Sequence, residues 1–187
     1  MKDDQASLLR EKMNKKKKGT NLNQQPHTIA VISGKGGVGK SNISLNFALT
    51  LQKKDKAVLL IDLDIGMANI DVLLGGTQKL SIVDFFRHNY ELKQIIQKGP
   101  NNLSYIAGGS GLTNAFKVEK EIMISFLLQL KALTSKYDYI IFDMGAGISE
   151  ENLQLLLSMN EIFLVTTSEP TSLTDAYSAL KIITTQD

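Results

Sequence analysis

The sequence predicts a doubly wound α/β fold with a mostly parallel sheet. Short apolar runs alternate with amphipathic segments, which is the pattern of strands separated by helices. The runs are continuously apolar, as expected of parallel strands that are covered on both faces. A hydrophobic content of 43% and a charged content of 21% over 187 residues are typical of a globular domain.

The expected strands and helices follow from these runs in order. We expect strands at 28–33, 57–61, 103–106, 139–142 and 162–166. We expect helices at 41–53, 118–135, 150–158 and 172–183. In the first helix, Ile43, Phe47, Ala48 and Leu51 recur at helical spacing. The chain ends soon after the last helix, at a point with no terminal signal, so we expect the domain to be truncated there.

A basic arm, residues 1–27, precedes the body, residues 28–187. The arm holds seven Lys or Arg against three acidic residues, and the body holds 14 against 16. Within 4–14, Ala6, Leu9 and Met13 share one side, which predicts a short helix. The polar, lysine-rich stretch 15–25 predicts a solvated and flexible linker. Since the body is slightly acidic, nucleic acid is not expected as a partner.

Several classes of protein are excluded by composition. The chain has no cysteine, so it has no disulfide, thiolate zinc site or cysteine-ligated iron–sulfur cluster. Its apolar runs are far shorter than the roughly 18 residues of a membrane span. The polar N-terminus lacks the apolar core of a signal peptide. A cytoplasmic protein is therefore expected.

A glycine-rich turn between the first strand and the first helix predicts a phosphate-binding loop. The segment GKGGVGKS, residues 34–41, matches the pattern G-x-x-x-x-G-K-[ST]. Its backbone N–H groups and the helix N-terminus would surround phosphate oxygens. Lys40 would bridge the β- and γ-phosphates, and Ser41 would donate its hydroxyl oxygen to Mg²⁺. The predicted nucleotide-binding residues are Gly34, Lys35, Gly36, Gly37, Val38, Gly39, Lys40, Ser41 and Asn42.

Three aspartates come at or just after predicted strands. Asp62 and Asp64 follow the second strand, and Asp143 follows the run YIIF. The carboxyl ends of parallel strands are where such folds bind ligands. Asp143 is the candidate to hold Mg²⁺, Asp62 to hold the metal shell or its own loop, and Asp64 to orient or activate the attacking water. The alternative for each is an aspartate that only caps a strand end.

The loop resembles the deviant Walker A motif of the MinD/ParA ATPases, members of the SIMIBI class of P-loop NTPases. In that family the lysine at the position of Lys35 reaches the partner's phosphates in a nucleotide-sandwich dimer. The segments 62–71 and 143–147 are similar to the family's switches, with Gly145 in place of a proline. The resemblance implies a slow, partner-stimulated ATPase that binds ATP or ADP with Mg²⁺ and forms an ATP-dependent homodimer. It also implies catalytic roles for Lys35, Lys40 and Asp64.

Two further segments resemble one branch of this family, the flagellar-placement ATPases called FlhG, FleN or YlxH. These segments are TSEPTSLTDAY at 167–177 and DQASLLR at 4–10. The resemblance implies control of flagellar number or placement, and an arm that stimulates FlhF, an SRP-type GTPase. The partner-binding residues that it implies in the arm are Asp4, Gln5, Ala6, Leu9 and Arg10.

The same resemblance implies contacts beyond the GTPase. Flagellar basal-body (C-ring) proteins are expected partners. Membrane lipid is expected to bind only through a C-terminal helix that these 187 residues do not contain, which would place the ATP-bound protein at the inner face of the membrane. Three alternatives remain: a ParA-like partition or DNA-binding ATPase, a MinD-type division-site regulator, and a nucleotide-dependent scaffold with negligible hydrolysis.

Overall fold

A computed structural model describes residues 25–64, 69–76, 80–88, 90–109, 120–148 and 150–185. The predicted arm helix at 4–14 lies outside the described residues, as does the predicted linker up to residue 24. The expected partner-binding residues of the arm, Asp4, Gln5, Ala6, Leu9 and Arg10, lie outside them as well. The fold below is therefore that of the body.

Six strands form one sheet, which confirms the predicted fold class. The strands are β1 (His27–Ser33), β2 (Val58–Leu63), β3 (Gln97–Lys98), β4 (Ser104–Ile106), β5 (Tyr139–Ala146) and β6 (Glu161–Val165). Their order across the sheet is β3-β4-β2-β5-β1-β6. All neighbouring pairs are parallel except β3 and β4. The two-residue strand β3 was not predicted, because it is too short and too polar to form an apolar run.

Seven α-helices are present in the described part of the chain. They are α1 (Lys40–Lys53), α2 (Ile70–Leu73), α3 (Ile82–His88), α4 (Leu92–Ile95), α5 (Lys120–Leu133), α6 (Glu150–Leu157) and α7 (Pro170–Thr184). Helices α1, α5, α6 and α7 are the four predicted ones. Helices α2 to α4 were missed, since four to seven residues do not show a helical period. In these described helices, no segment is both long and apolar enough to span a membrane.

The sheet is covered on both faces, and its strands alternate between two hydrophobic clusters. In β2, Leu59 and Ile61 join the cluster that contains Phe126 of α5. Val58 and Leu60 point the other way, into the cluster packed under α1. Because the central residues of β1, β2 and β5 are buried on one face or the other, these strands contain continuous apolar runs.

Helix α1 packs with most of the face that its apolar spacing predicts, since Ala48 is buried and Phe47 and Leu51 pack against the core. Ser44, Leu45 and Ala48 are buried, whereas Ile43 is 43% exposed. The buried face therefore includes Ser44 and Leu45 in place of Ile43. A buried serine one turn after Lys40 is therefore a feature that the apolar spacing did not reveal.

Candidate functional site

The glycine-rich loop lies at the carboxyl end of β1 and leads directly into α1. Gly37 and Gly39 have positive φ angles of 80° and 92°, a conformation that side-chain-bearing residues rarely adopt. Gly34 is needed for a different reason, because a Cβ at this position would lie 2.3 Å from the backbone of Asp175 in α7. The loop is thus held against α7 at its start and turns sharply into α1 at its end.

The loop forms one wall of a cleft of about 260 Å³. The cleft is lined by Ser33, Gly36, Gly37, Gly39, Lys40, Ser41, Asn42, Asp64, Asn69, Val72, Leu73 and Ala146. Six of the nine predicted nucleotide-binding residues are in this lining. Of the other three, Gly34 packs on α7, Val38 packs on the core beneath α1, and Lys35 bonds to α7.

A larger cleft lies at the opposite end of the sheet. It measures about 510 Å³ and is lined by residues that include His27, Tyr139 and Glu161. Each of these three residues is the first of its strand, so this cleft lies at the amino ends of the strands. The smaller cleft is the better candidate, because ligands of parallel α/β sheets bind at the carboxyl ends.

Lys40 is buried within a cluster of opposite charges. Its Nζ donates a hydrogen bond to Asp143 Oδ1 at 3.0 Å and lies 3.7 Å from Asp64 Oδ2. Only 5% of the Lys40 side chain is exposed, and Asp143 is fully buried. Asp143 Oδ1 lies 3.1 Å from Ser44 Oγ, whereas its buried Oδ2 has no hydrogen-bond partner. In this arrangement the lysine is neutralised by the protein itself.

Asp62 is fully buried and is engaged by its own loop. It is the register partner of Asp143 on the neighbouring strand. Its carboxylate accepts backbone hydrogen bonds from Asp64 at 2.9 Å, Asn69 at 3.2 Å and Ile70 at 3.3 Å. Burial and, secondarily, the charge of Asp143 raise the pKa of Asp62 to about 7, although the backbone bonds oppose this. These contacts are those of a side chain that connects the end of β2 to the start of α2.

Asp64 faces the open cleft, with 24% of its side chain exposed. Its pKa is raised above the usual value, first by burial and also by the charge of Asp143, while the charge of Lys40 opposes the shift. Gly145 lies alongside it, since a Cβ at Gly145 would be 3.7 Å from Asp64 Oδ1. A carboxylate at the cleft wall with a raised pKa has the properties of a group that can accept a proton.

Lys35 is turned away from the cleft of its own chain. Its Nζ donates hydrogen bonds to Glu169 Oε2 at 3.0 Å and Thr171 Oγ1 at 3.3 Å, at the start of α7. The Lys35 and Glu169 side chains are 42% and 65% exposed. Sequence reasoning selected the 167–177 segment but missed this contact, which only the tertiary fold creates. It also missed Ser44, whose position four residues after Lys40 on one helix was the available signal.

The donor set fits a magnesium ion better than a transition metal. Within the described ranges, no group of three or more His, Cys, Asp or Glu side chains is placed to hold a metal ion. Magnesium needs only one or two protein oxygens, because it keeps several waters and shares phosphate oxygens. The unpartnered Asp143 Oδ2 and the hydroxyl of Ser41 at the cleft are such oxygens.

A glycine-rich loop between a parallel strand and a helix, with a buried lysine at the start of that helix, defines a P-loop NTPase. Within that class, the ParA family model, described as the NUBPL iron-transfer P-loop NTPase, matches residues 24–187. The match covers most of the chain. The protein therefore belongs to the ParA family of P-loop NTPases.

Two curated relatives show which members of the family the chain is similar to. The chain is 35% identical over 155 residues to the antiactivator FleN of Pseudomonas aeruginosa, covering 83% of this chain and 55% of FleN. It is 36% identical over 182 residues to the flagellum site-determining protein YlxH of Helicobacter pylori, covering 96% of this chain and 62% of YlxH. The chain thus spans little more than half the length of these curated relatives.

A solved structure with the same fold contains a nucleotide. The septum site-determining protein MinD of Pyrococcus horikoshii OT3, in complex with Mg-ADP, superposes with a TM-score of 0.69 at 27% identity. The superposition covers 86% of this chain and 65% of that one.

Proposed function

We propose that this chain is the nucleotide-binding part of an ATP-hydrolysing switch protein that controls flagellar number or placement. The observation that supports nucleotide binding is the buried Lys40 at the start of α1, inside a glycine-lined cleft. The similarity to FleN and YlxH supports the flagellar role. The similarity to a Mg-ADP complex of MinD supports ATP or ADP with Mg²⁺ as the ligands.

Binding begins with an exchange of partners by Lys40. In the free chain, its ammonium group is held by Asp143 at 3.0 Å. When the nucleotide enters, Lys40 transfers to the β- and γ-phosphates, while the loop N–H groups at Gly36 to Gly39 bind phosphate oxygens. Bound Mg²⁺ neutralises phosphate charge, and Ser41 and Asp143 would hold it.

Hydrolysis is assigned to Asp64. The attacking water forms a bond to the γ-phosphorus, the bond to the β–γ bridging oxygen breaks, and the proton of the water passes to Asp64. The raised pKa of Asp64 favours this transfer. Asp62 keeps the loop that carries Asp64 in place through its three backbone hydrogen bonds. The products are ADP and phosphate, and slow turnover that a partner accelerates suits a timing role.

The dimer requires a second exchange, by Lys35. Its bond to Glu169 keeps it outside its own cleft in the free chain. In an ATP-dependent homodimer, Lys35 leaves Glu169 and binds the phosphates held by the partner subunit. Hydrolysis removes the γ-phosphate, and the contacts between subunits weaken with it.

The N-terminal arm acts on a different protein. We assign residues 1–27 to an activator arm with its linker, and residues 28–187 to the ATPase domain. Asp4, Gln5, Ala6, Leu9 and Arg10 would engage the SRP-type GTPase FlhF and stimulate its hydrolysis. Basal-body C-ring proteins are further proposed partners. Attachment to the inner face of the membrane would depend on a lipid-binding helix outside these 187 residues.

A MinD-type division-site regulator is the second candidate, supported by the superposition on MinD. Both candidates use the same cleft and the same lysines. They differ in the arm, because only the flagellar role gives the segment DQASLLR a purpose. Stimulation of FlhF by the arm separates the two.

Calorimetry with ATP and ADP tests the binding site. Lys40→Ala should abolish nucleotide binding, since it removes the charge that offsets the phosphates. Lys93→Ala is the matched control, because Lys93 is an exposed lysine on α4 that pairs with Glu91. Near-normal affinity for ATP in Lys40→Ala would contradict the assignment of the cleft.

A further inference from the structure

We infer that Ser44 is a positioning residue, whose hydroxyl holds Asp143 when Lys40 moves to the nucleotide. Ser44 lies on α1 one turn after Lys40 and is fully buried. Its Oγ is 3.1 Å from Asp143 Oδ1 and 3.1 Å from the backbone carbonyl oxygen of Lys40. The hydroxyl has one hydrogen and two acceptors at equal distance, so it can change acceptor without moving.

The need for such a residue follows from the burial of Asp143. Its Oδ2 has no hydrogen-bond partner, and its Oδ1 is bonded to Lys40 in the free chain. Once Lys40 transfers to phosphate, a fully buried carboxylate would lose its ammonium partner. An unpartnered buried charge is costly. Ser44 is the side chain already in place to supply the replacement bond, because its Oγ is within hydrogen-bond distance of the same oxygen.

The Ser44 hydroxyl would therefore donate its hydrogen to a different acceptor before and after nucleotide binds. In the free chain Lys40 satisfies Asp143 Oδ1, and the Ser44 hydrogen can remain on the carbonyl of Lys40, as is common for serines inside helices. With nucleotide bound, the Ser44 hydrogen turns to Asp143 and keeps its carboxylate oriented. Ser44 therefore contributes little to the free chain and more to the nucleotide complex. This inference depends on the proposed transfer of Lys40 to phosphate.

The alternative to a positioning role is that Ser44 only stabilises helix α1. A serine that only bonds the carbonyl one turn before it affects the stability of α1 and leaves nucleotide affinity unchanged. The two roles are separated by comparing two quantities in the same variants. These are the ADP dissociation constant and the free energy of unfolding of the nucleotide-free protein.

The test uses Ser44→Ala, with ADP titrated calorimetrically into the full chain without Mg²⁺. The variant should bind ADP about tenfold more weakly or worse, the effect of one lost hydrogen bond to a buried charge. Its nucleotide-free stability should remain close to that of the wild type. Ser104→Ala is the matched control, since Ser104 is 2% exposed and bonds Lys98 at the other end of the sheet. It should leave ADP affinity unchanged.

A double-mutant cycle identifies the group through which Ser44 acts. In an Asp143→Ala background, Ser44→Ala should have no further effect on ADP affinity, because the acceptor is gone. A persistent loss in that background would overturn the inference, as would wild-type affinity in the single variant Ser44→Ala. If Lys40→Ala itself binds ADP normally, the proposed function fails first, and the two failures are thereby distinguished.

Discussion

Glu169→Gln should strengthen the proposed ATP-dependent dimer. In the free chain Lys35 is held by Glu169 at 3.0 Å, and each subunit must break this ion pair before Lys35 can bind the partner's phosphates. Glutamine keeps the size of the side chain and its ability to accept a hydrogen bond, but it removes the charge. The cost of releasing Lys35 is therefore reduced in both subunits.

The magnitude follows from the exposure of the pair. With Lys35 42% and Glu169 65% exposed, solvent screens their attraction. Exposed pairs of this kind contribute about 0.2–1 kcal/mol each. Two pairs are broken per dimer, so the dimer dissociation constant should fall by roughly 2- to 30-fold. The difference should shrink at high ionic strength, because salt screens exposed charges.

The dimer dissociation constant is measurable by sedimentation or light scattering with Mg²⁺ and an ATP analogue that is not hydrolysed. Glu161→Gln is the matched control, because it removes the same charge at the amino end of β6, where Glu161 pairs with His27. That variant should dimerise like the wild type. Lys35→Ala should not dimerise at all, while it still binds ATP.

Weaker dimerisation of Glu169→Gln would refute the reasoning. It would mean that Glu169 stabilises the dimer, and that the bond between Lys35 and Glu169 does not compete with dimer formation. An unchanged constant would mean that the pair contributes nothing to the equilibrium.

Three further outcomes are expected. Gly34→Ala should lower the free energy of unfolding by about 1–3 kcal/mol, since its Cβ would meet the backbone of α7 at 2.3 Å. Gly36→Ala is the control in denaturant titrations, because a Cβ there would make only an ordinary contact with Ala146 at 4.0 Å. The metal-free, nucleotide-free protein should lose stability as the pH rises from about 4 to 7, because Asp62, whose pKa rises from 3.8 to about 7 on folding, binds its proton more tightly when folded. That loss should reach about 4 kcal/mol at most, and Asp62→Asn should flatten the pH dependence of unfolding. A peptide of residues 1–20 should stimulate GTP hydrolysis by FlhF, and Gln5→Ala should weaken that stimulation; an unchanged rate at saturating peptide would remove the activator role.

The main strands and the long helices could be predicted because burial on two faces leaves a strong apolar signal. β1, β2 and β6 begin and end within two residues of the predicted bounds. β5 extends four residues beyond its apolar run, to Ala146, where it pairs with Ser33 after a register shift. Such a shift depends on the partner strand, so no local pattern could indicate it. The helices α2 to α4 are shorter than two helical turns, which is too little for a period to appear.

The site was predictable where its residues are consecutive in sequence. The segment 34–42 has a fixed pattern, and most of it lines the cleft. The sequence predicted Asp143 as the Mg²⁺ ligand and Asp62 as a residue of the metal shell or of its own loop, although each follows an apolar run. The fold separates them: Asp62 is bonded by three backbone N–H groups, whereas Asp143 is bonded by Lys40 and has Ser44 Oγ within 3.1 Å. These partners come from distant parts of the chain, and only tertiary contacts reveal them.

The charges of the site give a physical reason for the proposed dimer to depend on ATP and not on ADP. Among the described residues that line the cleft, Lys40 is the one lysine, since Lys35 of the same chain is bonded to Glu169. Dimer formation breaks two Lys35–Glu169 pairs, and the contacts of both lysines with phosphate must more than offset that loss. ADP lacks the γ-phosphate and offers less negative charge to a lysine that arrives from the partner. The two nucleotides are therefore discriminated if breaking the Lys35–Glu169 pairs costs more than the attraction of Lys35 to ADP provides, and less than its attraction to ATP provides. On this argument, Glu169→Gln should also permit measurable dimerisation with ADP, and its absence at high protein concentration would show that another contact discriminates between the nucleotides.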